Sequence, residues 1–161
     1  MRYMQILRFL IVLLIFSSCS TSPELITFYV SEGVNQYFLP PLDWTAANSK
    51  AKLDITYRTG TNAPATVNIS FYGKKTVPVN VKSVFLHTTE KDCMLEYLNI
   101  ILENPDKKEL RVSFSADRDD LVSLLKSRLI TLSAEVDGIK YNYSPDKNFS
   151  DVKNKFLAAI K

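Results

Sequence analysis

His87 and Cys93 are the residues of this sequence best suited to covalent chemistry: one imidazole and one thiol, six positions apart, flanking a turn at residues 88–92. A thiol beside a base gains thiolate character and can attack a carbonyl carbon. A working nucleophile also needs an orienting group and a pocket, and no motif supplies them. The simpler reading places His87 at a strand end and Cys93 as a small buried hydrophobe opening the next strand, so no catalytic residue is assigned.

A second cluster, Asp117-Arg118-Asp119-Asp120, puts three carboxylates within four positions, a set of oxygen ligands that a hard cation could use. Calcium loops add a glycine turn and a later bidentate acid, and neither follows here. Acids at a helix start are explained without a metal, by capping of free backbone N–H groups and by the helix dipole. No metal site and no cofactor are assigned. Gly-rich phosphate loops, Cys-x-x-Cys pairs, zinc signatures and the Gly-x-Ser-x-Gly elbow are missing from the sequence, which removes the common routes to an enzyme.

Aromatic side chains give the third candidate. Residues 37–44 read Tyr-Phe-Leu-Pro-Pro-Leu-Asp-Trp, a long link before the first clear hairpin. If exposed, Tyr37, Phe38 and Trp44 offer rigid rings on which a glycan or peptide could stack; if buried, they close one end of the core. Tyr141 and Tyr143 are a second choice for binding, with core packing the simpler role.

The elements that must position these residues are mostly strands. Leu53, Ile55 and Tyr57 alternate with Lys52, Asp54, Thr56 and Arg58, which predicts one buried and one solvated face. Val67, Ile69 and Phe71 repeat the pattern after the turn-rich link 59–64, and the two runs make a hairpin. Further strands are expected at 79–88, 94–102 and 110–114. The run 94–102 is apolar on both faces, which suggests a central strand. Near the end, Asp137-Gly138 separates two alternating runs, the signature of a type I′ hairpin turn.

Two helices are predicted. Asp117 can cap one that carries Leu121, Val122, Leu124, Leu125 and Leu129 at helical spacing. Ser150 can cap another over residues 151–161, with Val152, Phe156, Leu157 and Ile160 on one stripe. Seven or eight short strands at this spacing predict a mainly β fold, an antiparallel β-sandwich with a short inter-strand helix and a C-terminal helix. Strand count and spacing resemble an immunoglobulin-like domain, without its Cys-Trp-Cys pattern.

Composition agrees with one globular domain: 161 residues, 46% of them apolar and 23% charged, can bury a single core. The N-terminal segment is of another kind. Arg2 and Arg8 precede an unbroken apolar run at residues 9–16, far short of the roughly 20 residues a spanning helix needs, and this reads as a signal peptide. The run ends in Phe16-Ser17-Ser18-Cys19, which resembles the lipobox of bacterial lipoproteins, with Phe16 where Leu is usual. That resemblance implies cleavage before Cys19, acyl chains on its sulfur and attachment to an extracytoplasmic membrane face. Ser20, where an inner-membrane protein would carry Asp, favours the outer membrane.

The expected organisation is a signal peptide over 1–18, a lipidated cysteine and short tether over 19–24, and one β-rich domain over 25–161. Without Arg2 and Arg8, Lys and Arg exceed the acids by one, which leaves no footprint for nucleic acid. With Cys19 acylated, Cys93 has no intrachain partner and no disulfide is expected. Each buried acyl CH2 is worth about 0.8 kcal/mol, so the anchor asks nothing further of the domain. The functional expectation is a lipid-anchored, non-enzymatic binding or scaffolding module of the cell envelope. Its alternatives are an accessory subunit docking an envelope protein by strand addition, a glycan or small-ligand binder, and a hydrolase built around His87.

Overall fold

A computed structural model of the protein describes residues 23–73 and 80–160. The signal sequence and Cys19 lie outside the described residues, as does Val79 of the predicted strand at 79–88. Among the described residues ten strands and two helices follow one another: β1 (Ile26–Ser31), β2 (Val34–Ala46), β3 (Ser49–Arg58), β4 (Ala65–Tyr72), β5 (Val81–His87), β6 (Asp92–Met94), β7 (Glu96–Asn104), β8 (Glu109–Ala116), α1 (Arg118–Lys126), β9 (Thr131–Val136), β10 (Ile139–Pro145) and α2 (Lys147–Ala159). The fold is mainly β and antiparallel, with the two helices in the expected places.

The strand count and layout differ from the expected sandwich of seven or eight strands. All ten belong to one continuous sheet in the order β6-β5-β9-β10-β2-β3-β4-β8-β7, with β1 added to β2. The two ends of that order, β6 and β7, are consecutive in sequence, and only Leu95 separates them. The sheet therefore curls until its ends approach, and the result is a nearly closed barrel. Leu95 N–H donates to Val84 O at 3.0 Å across the join. Right-handed strand twist makes such curling the natural outcome for a long antiparallel sheet.

Strand β2 is the largest departure from the sequence reading, which left residues 37–44 as a link. Two adjacent prolines argue against a strand because they cannot donate to a ladder. Here Pro40 and Pro41 sit where the β2–β3 register shifts, between Leu39 and Leu42. On the other side of β2, β1 pairs only as far as Phe38 and β10 only at Trp44 and Thr45, so neither proline faces a partner that needs its N–H.

Inward-facing residues build the core as alternation predicts: Leu53, Ile55, Val67, Ile69, Phe71 and Leu132 are all buried. The outward face of β3 is less solvated than expected, for Asp54 is fully buried. Helix α1 is capped by Asp117, whose carboxylate accepts from Asp120 N–H at 2.9 Å, and it buries Leu121, Leu124 and Leu125. Helix α2 begins earlier than predicted. Asp146, not Ser150, is its cap, accepting from the N–H groups of Asn148 and Phe149 at 3.0 and 3.1 Å. Its Phe149 meets Trp44 edge to face at 5.1 Å, and Phe156 meets Tyr57 likewise at 5.3 Å.

The hairpin turn between β9 and β10 is as predicted, with Asp137 and Gly138 both at positive φ. Among the described residues no helix is long and apolar enough to cross a membrane.

Candidate functional site

Strand β7 forms one lip of the barrel seam. Among the described residues it pairs with β8 and with no strand on its other side, so the sequence expectation of a central strand is corrected: it is an edge of the described sheet. Its residues are nonetheless apolar on both faces. Tyr97 is 62% exposed and Leu98 51%, and Ile100, Ile101 and Leu102 are exposed beside them. Soluble proteins usually protect such an edge with lysine or proline, and β7 contains neither. Its charges are Glu96 and Glu103, near the two ends of the apolar run. Two bulges, between Tyr97 and Asn99 and between Ile100 and Leu102, interrupt its ladder with β8.

The opposite lip is β5. Its ladder with β9 is interrupted between Lys82 and Phe85, where Ser83 takes a positive φ of 51°, a conformation uncommon outside glycine and its polar relatives. Because β6 pairs only with Phe85, Leu86 and His87, no described strand covers the first part of β5 on this side. Between the lips lies a cleft of about 800 Å³, floored by Val84, Leu95, Val112 and Phe114 and bordered by Lys82 and Glu96. An apolar floor with few polar groups is the ordinary chemistry of a binding cleft.

The other candidate residues divide cleanly by strand register. Trp44, Tyr37 and Tyr143 are buried: Trp44 against Phe149, Tyr37 donating its hydroxyl to Ala159 O at 3.0 Å, and Tyr143 hydrogen-bonded with Ser49 at 2.9 Å. Burial raises the Tyr143 phenol above its ordinary value. Phe38 and Tyr141 are half-buried. These five rings belong to the wall and core and do not assemble an aromatic platform.

Cys93 and His87 are not brought together. Cys93 pairs with Leu86 and points inward; His87 pairs with Asp92 and points outward. Burial, reinforced by Asp120, pushes the Cys93 thiol above its ordinary value, which disfavours a thiolate. His87 instead bonds Asp92 through Nδ1 at 2.7 Å and Ser133 through Nε2 at 2.5 Å. The sequence reading missed Ser133, since β5 and β9 are adjacent only in space.

Two of the three acids of 117–120 have structural partners, Asp117 capping α1 and Asp120 pairing with Lys91. Among the described residues no group of three His, Cys, Asp or Glu side chains is placed to hold a metal ion.

Comparison with family models, curated proteins and solved structures finds no match, and the chemistry of the site rests on its own geometry.

Proposed function

We propose that this protein is a lipid-anchored module of the bacterial cell envelope that docks a partner protein by strand addition at β7. The supporting observation is the β7 edge: nine residues whose second ladder side meets no described strand, with apolar side chains on both faces. Strand addition draws affinity from main-chain hydrogen bonds and specificity from pockets beside alternate side chains. The cleft between β5 and β7 supplies such a pocket. Glu96 and Glu103 fit an extended segment of alternating apolar residues flanked by Lys or Arg, and that is the partner we assign.

The anchor complements this arrangement. The lipobox-like Cys19 precedes β1 by a short tether, so the anchor would hold the N-terminal end of the domain close to the membrane. The outer membrane is the preferred location, from Ser20. Docking at β7 requires no covalent step.

Hydrogen exchange of the intact lipoprotein tests the docking role. In its own membranes, the β7 amides should exchange more slowly than in protein purified into detergent, and Ile101→Lys should restore fast exchange. Equal rates in both settings would overturn the proposal. Protection that persists in the purified protein and tracks its self-association would assign the edge to a second copy instead.

A further inference from the structure

The outer face of β6, β5, β9 and β10 carries a constellation that docking at β7 does not use. Asp92, His87, Ser133 and Asn142 stand on these four neighbouring strands: His87 is paired with Asp92, and Asn142 with Ser133. The imidazole lies between a carboxylate at 2.7 Å and a hydroxyl at 2.5 Å. An ionised carboxylate only accepts, so Nδ1 carries the ring proton and donates to Asp92. In the neutral ring Nε2 then has a free lone pair, and the Ser133 O–H donates to it.

This is the order of contacts that activates a serine: nucleophile to base, base to orienting acid, independent of fold and of position in the sequence. Two further observations favour a site over polar side chains merely satisfying one another on a wet surface. Phe85 stacks on the imidazole, with ring centroids 5.8 Å apart and planes at 23°, which fixes the ring. A depression of about 320 Å³ opens over Ser133, with His87 and Asn142 in its wall. Ser133 and Asn142 are a directly opposed pair on one face, and the Cβ atoms of such pairs lie roughly 5 Å apart, within reach for an amide donor.

We propose that Ser133 is the nucleophile of a second, acyl-transfer site that accepts small carboxylic esters. Ser133 Oγ bonds to the ester carbonyl carbon while His87 Nε2 takes the hydroxyl proton, and the Asn142 amide stabilises the oxyanion. The tetrahedral adduct collapses with cleavage of the bond to the alcohol oxygen, which leaves with the proton from His87. Water then attacks acyl-Ser133, giving its proton to His87, and the carboxylic acid departs as Ser133 regains a proton. Asp92 is a positioning residue that holds the imidazole in its productive tautomer. The site is open and shallow, so it suits short, unbranched acyl groups and slow turnover. It departs from the expectation of a non-enzymatic module and does not depend on the role of β7.

The full chain in detergent micelles, treated with a fluorophosphonate probe and assayed on p-nitrophenyl acetate, tests this directly. One covalent adduct should map to Ser133 and be absent in Ser133→Ala. His87→Gln should slow its formation by about a hundredfold, the scale of a lost general base. Asp92→Asn should lower kcat on the ester with KM and thermal unfolding unchanged, a split that a merely structural role would not produce. Ser133→Cys gives a second handle: its thiol should be alkylated by iodoacetamide far faster with His87 present than in the Ser133→Cys/His87→Gln double variant. Ile101→Lys, on β7, should leave labelling unchanged, which separates this site from docking. Folded protein with no adduct at Ser133, or labelling indifferent to His87, would overturn the proposal.

Discussion

The guanidinium of Arg111 on β8 donates to the fully buried carboxylate of Asp54 on β3, reaching across the intervening strand β4. Arg111 also donates to Ser70 Oγ at 3.1 Å, and Asn68 Nδ2 donates to the other oxygen of Asp54 at 2.8 Å. Three adjacent strands are thereby tied on the outward face by one satisfied polar cluster.

Removing only the cation should be costly, because it strands a desolvated carboxylate. Arg111→Met is expected to destabilise the domain by about 3 kcal/mol or more, and the double change Asp54→Leu/Arg111→Met to recover most of that loss. Urea unfolding of the three proteins measures both. A single variant as stable as the parent would show that the pair carries no weight.

Lys153 sets a pH dependence of defined sign. Its side chain is buried in α2 with the ammonium donating to Ser127 O at 2.8 Å, and burial lowers its pKa below the ordinary 10.5. Between the folded value and 10.5 the unfolded chain holds more protons, so this residue's contribution to stability rises with pH and is complete above 10.5. Raising the pH through that window should shift the urea midpoint of the parent upward relative to Lys153→Met. A shift the other way would contradict the burial cost.

The anchor has its own test. Cys19→Ala should abolish metabolic palmitate labelling and leave an unprocessed precursor. Labelling retained in the variant would remove the lipoprotein assignment, and with it the proposed location.

Much of the fold was legible where local chemistry decides it. Alternation of Leu53, Ile55 and Tyr57 with polar neighbours marked β3, and Asp137-Gly138 marked the β9–β10 turn because few residue pairs accept two successive positive φ values. Legibility failed where the answer was non-local. Pro40 and Pro41 hid β2, since only the pairing limits of β1 and β10 make room for them. The two-faced apolar pattern of β7 signalled burial between neighbours, yet the strand ends the sheet.

The site shows the same division. His87 stands out in the sequence as the one histidine, and Cys93 is the small buried hydrophobe opening the next strand that its context suggested. Side chains alternate along a strand, so the register that pairs His87 with Asp92 sends Cys93 to the opposite face. Ser133 comes within reach only because β9 lies beside β5, an adjacency that no local pattern encodes.

Photo-crosslinking along β7 in native envelopes tests the central claim most directly. Photoreactive residues placed in turn at Leu98, Ile100 and Leu102 should capture one partner protein, at positions two apart along a single extended segment flanked by Lys or Arg. Crosslinks to another copy of this chain, to scattered surfaces, or to nothing would contradict docking by strand addition.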